Sequence, residues 1–195
     1  MYVDKTLGDV PASERVTVAQ KKPVQLLFEF QTNGSANARA TKYLTKQVTD
    51  SVTASGLFSS VSTTPAEGGA ILSVTINNIP QKDAAGKGFV TGLTLGAAGT
   101  QVSDYYAASV KYVGGATAAP LTKEAKHAIH TLIGAKEDPA NAIPVKNADE
   151  GITMVTRQLI DRMLTDLAKD PAFAGAKVAF ASPMGAPYSV LVLTN

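Results

Sequence analysis

Apolar and polar residues alternate over residues 23–31, with Leu26, Phe28 and Phe30 on one side and Gln25, Leu27, Glu29 and Gln31 on the other. A period of two built from aromatic and aliphatic side chains predicts a strand with one buried face. Thr32-Asn33-Gly34-Ser35 is a turn cluster, and Ser35 is placed to cap a helix. Over residues 36–55 the period changes. Ala40, Leu44, Val48 and Val52 recur every four residues with Tyr43 beside them, which predicts an amphipathic helix. Gly56 stops it by entering the left-handed region.

Residues 57–64 read as a weak strand. The turn 65–69 follows, then a clear strand over 70–79 with Leu72, Val74 and Ile76 on one face. These two strands are expected to form a hairpin. Residues 102–113 form a further strand, with Tyr106, Ala108, Val110 and Tyr112 facing one way. Residues 121–135 fit either period. Thr131, Ile129 and Ile133 favour a strand, which makes a natural hairpin with the one before. Asn147 and Glu150 have capping-box spacing, and a helix follows to Ala168 with a stripe of Ile152, Val155, Leu159, Met163 and Leu167.

The order is β-α-β-β-β-β-α with an optional last strand. Two one-sided helices and a run of strands predict an α+β two-layer domain: a mostly antiparallel sheet of 4–6 strands with both amphipathic helices packed on one face. Residues 1–20 read as an extended tether, 21–170 as the single domain, and 171–195 as a tail or an added edge strand.

Composition narrows the function classes. The chain has 195 residues, no Cys, 17% charged residues and a net charge of +2. Charged residues average roughly 25% in soluble domains, so the polar surface here is built largely from Ser, Thr, Asn and Gln. Balanced, sparse charge argues against a nucleic-acid binder. Without Cys there is no disulfide, thiol nucleophile or thiolate zinc site. Arg39, Lys42 and Lys46 share one face of the first helix, which reads as a solvated face rather than an anion site.

Residues 86–99, Gly-Lys-Gly-Phe-Val-Thr-Gly-Leu-Thr-Leu-Gly-Ala-Ala-Gly, carry no strand or helix period. A phosphate loop fails because Lys87 is followed by Gly88, and a dinucleotide loop fails because the third glycine falls at Gly92, one place late. Gly88, Gly92 and Gly96 are four apart, as in a membrane helix seam, but the apolar run is too short to span a bilayer. The segment therefore reads as an apolar contact loop, with Phe89, Val90, Gly92, Leu93, Leu95 and Gly96 as the residues that meet a partner.

His127 and His130 are the two imidazoles, and in a strand their odd spacing sends them to opposite faces, so they cannot chelate one ion. The enzymatic alternative is a hydrolase using His127 or His130 with Asp104 or Asp138 and a serine. No nucleophile-elbow pattern supports it. No metal, cofactor or nucleotide is expected, and no catalytic residue is assigned.

The run Pro23–Phe30, the helix end Ser55-Gly56-Leu57-Phe58, the strand Ala70–Ile76, the glycine-rich apolar loop and the Tyr-bearing strand together resemble small bacterial cell-envelope lipoproteins. Those are similar to the α+β modules of periplasmic assembly proteins, and the likeness spans roughly residues 23–168. It implies a non-enzymatic binding or structural module in the periplasm or at the outer membrane, partnered by a protein or a membrane surface. A homo-oligomer, or an extracellular fibre subunit joined by edge strands and termini, is the alternative. The chain departs from a lipoprotein precursor in lacking a signal segment and a lipidated Cys.

Overall fold

A computed structural model describes residues 1–18, 21–65, 68, 70–81, 99–115, 118–134 and 137–173. Its elements are β1 (Tyr2–Asp4), a 3-10 turn (Ala12–Glu14), β2 (Val24–Thr32), β3 (Ser35–Ala36), α1 (Ala38–Ala54), β4 (Val61–Ser62), β5 (Ile71–Pro80), β6 (Thr100–Val113), β7 (Leu121–Ile133), β8 (Ala142–Pro144) and α2 (Ala148–Ala168). Among the described residues eight strands make one mixed sheet in the order β3-β2-β5-β6-β7-β1-β8, with β4 beside β2. The α+β class and the two helices match the sequence reading. The sheet is larger than the expected 4–6 strands because β1, β3 and β8 add two or three residues each, while the strand expected over 57–64 shrinks to the two residues of β4.

β2 and β5 run parallel, from Gln25↔Ile71 to Thr32↔Asn78, with α1 in the connection between them. β5, β6 and β7 are antiparallel neighbours, with Pro80↔Asp104 and Thr100↔Ile133 at one end of the sheet. The expected hairpin of residues 57–64 with 70–79 does not form. Val61 and Ser62 instead lie parallel to Val24 and Gln25 on the outer edge of β2. The chain leaving α1 must return to the start of β2 before β5 can run alongside it, and β4 is laid down on that return.

Local signals hold the elements in place. Asn33 and Gly34 both have positive φ, 51° and 79°, and turn β2 tightly into β3. The cap of α1 is Asn37, whose side chain accepts from the Ala40 N–H at 3.0 Å, rather than Ser35, which β3 consumes. Gly56 ends α1 at φ 67°. Asn147 accepts from the Glu150 N–H at 2.9 Å, while Glu150 reaches back to the Lys146 N–H at 2.7 Å.

The core lies between one face of the sheet and both helices. Leu26, Phe30, Leu72, Val74, Ile76, Tyr106, Val110 and Tyr112 meet Leu44, Val48 and Val52 of α1 and Val155, Leu159, Met163 and Leu167 of α2. Phe58, Tyr112 and Phe173 pack ring against ring at the far end, with the closest centroids 4.9 Å apart. The opposite face carries no helix among the described residues, and Leu27, Ile79 and Tyr105 are exposed on it.

Residues 1–18 are more than a tether. Tyr2–Asp4 form β1, antiparallel to both β7 and β8. Farther on, Glu14 pairs with Arg162 and Lys169, each at 3.0 Å, and Arg15 pairs with Asp161 at 3.3 Å. These partly exposed pairs orient the arm along α2 and add little stability singly.

Candidate contact surface and the imidazole clusters

β5 leaves the sheet at Pro80 and β6 re-enters it at Thr100, so the apolar glycine-rich run is rooted between two neighbouring strands. Gln81 stitches the stems together. Its backbone N–H donates to the Ser103 carbonyl at 3.0 Å, and its side-chain Oε1 accepts from the Ser103 N–H at 3.1 Å. Just inside this stitch Ile79 stands opposite Tyr105. Both point to the helix-free face, 41% and 49% exposed, and form an apolar pair beside the end of β5. Phe89, Val90, Gly92, Leu93, Leu95 and Gly96 lie outside the described residues. Both helices begin at this same end of the sheet, because α1 follows the β2–β3 turn and α2 follows β8.

The imidazoles point to opposite faces, as their spacing predicts. His130 lies on the helix-free face. Its Nδ1 is 2.9 Å from Ser103 Oγ and 3.2 Å from Gln101 Nε2, and its Nε2 is 3.5 Å from Asp4 Oδ2. A serine, a histidine and an aspartate are thus brought together, but the acid is Asp4. Asp104 and Asp138, the acids considered from sequence, are elsewhere: Asp138 accepts from the Tyr2 hydroxyl, and burial pushes the Asp104 carboxyl up. Asp4 escapes sequence reasoning because 126 residues separate it from His130.

This cluster lacks the geometry of a hydrolase. Ser103 is 4% exposed in the middle of a strand. A nucleophilic serine needs a turn that lifts its oxygen clear and leaves backbone N–H groups aimed at an oxyanion. The Ser103 N–H is already committed to Gln81. Burial pushes the Asp4 carboxyl up, but hydrogen bonds from Thr6 and the neighbouring His130 outweigh it and leave it below the ordinary range. The cluster ties β1 to the β6–β7 hairpin.

His127 is 6% exposed and faces α2. Its Nε2 is 2.7 Å from Gln158 Oε1, and its Nδ1 accepts from the Ala128 N–H at 2.9 Å. The Gln158 side chain donates in turn to Asp9 Oδ1 at 2.7 Å, where Arg157 also donates at 2.8 Å. An acceptor role at Nδ1 fixes the neutral ring with its proton on Nε2. Burial pushes the imidazole pKa down, against the raising effects of Gln158 and Asp4. Neither imidazole is freely exposed.

On α1, Lys46 pairs with Asp50 at 2.6 Å, which leaves Arg39 and Lys42 beside Tyr43 on a solvated face. Among the described residues no group of three His, Asp or Glu is placed to hold a metal ion. No helix among them is long and apolar enough to cross a membrane.

No protein-family model matches the chain, and no curated protein matches it in sequence. Three solved structures are similar to it at a low level. A PelC dodecamer from Paraburkholderia phytofirmans matches at 11% identity and a TM-score of 0.40, over 76% of this chain and 88% of that one. A DUF330 protein from Xanthomonas campestris matches at 9% identity and a TM-score of 0.36, over 82% and 86%. A putative neuraminyllactose-binding hemagglutinin homolog from Helicobacter pylori matches at 10% identity and a TM-score of 0.42, over 86% and 95%. Likeness at this level assigns neither a family nor an activity to the chain.

Proposed function

We propose that the protein is a non-enzymatic binding or assembly module of the bacterial cell envelope, and that the segment 86–99 is its contact surface. The sheet and its two helices act as the scaffold. Phe89, Val90, Leu93 and Leu95 meet the partner, and Gly92 and Gly96 let backbone approach closely. The observation that carries the reading is the placement of the segment's root. An apolar run without secondary-structure period lies in the connection between β5 and β6, and the exposed Ile79–Tyr105 pair stands where β5 ends before that connection. Together they would form one apolar patch larger than scattered surface residues usually make. The envelope setting rests on the sequence resemblance and on a polar surface built from Ser, Thr, Asn and Gln.

A photoreactive side chain placed at position 93 should cross-link a partner protein or lipid in envelope preparations. The same probe at position 93 with Leu95→Glu and Phe89→Glu should lose the adduct. Equal cross-linking from both proteins would count against the segment as the contact.

A further inference from the structure

We propose a second, separate interaction surface: two copies of the chain pair antiparallel through the outer edge of β7, about a two-fold axis at Ala125. On its inner side β7 is paired with β6 along its whole length, from Tyr112↔Leu121 to Thr100↔Ile133. On its outer side β1 reaches only Ile129 and His130.

The orientation of the outer-edge groups follows from one hydrogen bond. The Ala128 N–H donates to Nδ1 of its neighbour His127, so it points away from β6. Backbone groups alternate along a strand, so those of Thr122, Glu124 and Lys126 point outward too. Among the described residues no strand other than β6, on the inner side, pairs with these three, and no backbone hydrogen bond from a turn or loop reaches them. Their side chains are exposed. An edge of this kind is a template for another strand.

Charge selects the occupant and the register. In a two-fold pairing the outward-facing residues must face one another, which restricts the axis to whole-residue positions. Centred on Glu124, the pairing sets that carboxylate against its own copy. Centred on Lys126, it opposes two ammonium groups. Centred on Ala125, it places Glu124 of each chain opposite Lys126 of the other, twice, on the helix-free face. Opposite charges directly across an antiparallel pair stabilise it and like charges oppose it. The edge is thus self-complementary in one register and repulsive in the adjacent ones, which favours a second copy over an unrelated strand. Lys123, on the other face, is already neutralised by Asp170 at 2.6 Å, so it adds no free charge there. The His127–Ala128 bond and β1 close the upper end of the pairing, and Pro120 closes the lower end.

The full chain should show a concentration-dependent monomer–dimer equilibrium by sedimentation or light scattering, weakened by salt. Glu124→Lys alone, or Lys126→Glu alone, turns both cross-strand pairs repulsive and should weaken association by roughly thirty-fold. Combining the two restores opposite charges in the same register and should restore the dimer. Both sites are exposed, and thermal unfolding at low concentration should stay at the wild-type midpoint. A chain that stays monomeric at every concentration overturns the proposal. So does a dimer that is indifferent to these charges, or one that the double exchange fails to rescue. Substitutions at Leu93 and Leu95 should leave this dimer intact, so its failure is distinguishable from failure of the contact segment.

Discussion

Ile76→Ala should cost about 3 kcal/mol of stability, because a fully buried aliphatic side chain loses both its transfer energy and its packing partners. Ile76 is 0% exposed between the sheet and the helices. For a chain of this size the loss lowers the thermal midpoint by roughly 6–12 °C. Ile79→Ala, three residues along the same strand, should change stability by only about 0.5 kcal/mol, the usual scale for surface substitutions. Ile79 is 41% exposed on the opposite face. Denaturant unfolding of the pair measures the difference between the two faces. Equal losses would mean that the helix-free face is packed as tightly as the core, leaving no exposed pair to extend the contact surface.

Gln158→Leu should cost about 2 kcal/mol at neutral pH, since it strips a buried imidazole N–H of its acceptor and an aspartate of a donor. Gln158 is 2% exposed and links His127 to Asp9. The same chain makes the fold sensitive to acid. His127 has a lowered pKa in the folded protein, so between the folded value and the unfolded value of about 6.5 the unfolded chain holds the extra proton. Stability is therefore complete above the unfolded value and falls as pH drops through that window. A second loss follows at lower pH. Asp9, held down chiefly by the Gln158 hydrogen bond, and Glu14 and Asp170, held down chiefly by hydrogen bonds from lysines, must then be protonated. Asp104 and Asp161 are raised by burial and work in the opposite direction. His127→Gln keeps a donor for Gln158 without a titrating ring. In denaturant unfolding at stepped pH it should flatten the upper loss and leave the lower one. An unchanged upper loss would assign it to another group.

The elements legible in the sequence were those long enough to repeat a period. α1, α2, β5, β6 and β7 each present several turns or alternations, and their ends carry chemistry that reads locally, as at Gly56 and Asn147. β1, β3, β4 and β8 are two or three residues long, too short for any period to show. Their existence depends on where the rest of the chain places them. The misread hairpin has the same origin: only Val61 and Ser62 pair, and their partners belong to β2. Arg162 pairs with Glu14, 148 residues away, a partner that only tertiary packing supplies. The opposite orientation of the two imidazoles follows from spacing alone. Their partners, Asp4 for His130 and Gln158 for His127, do not, because tertiary packing brings them in.

Thermal unfolding of a variant carrying Leu93→Glu and Leu95→Glu probes the contact surface most directly. With those leucines meeting a partner rather than the interior, two added charges leave the midpoint within a degree or two of the wild type. A collapse of the midpoint by roughly 10 °C or more would place both leucines in the core and contradict the reading.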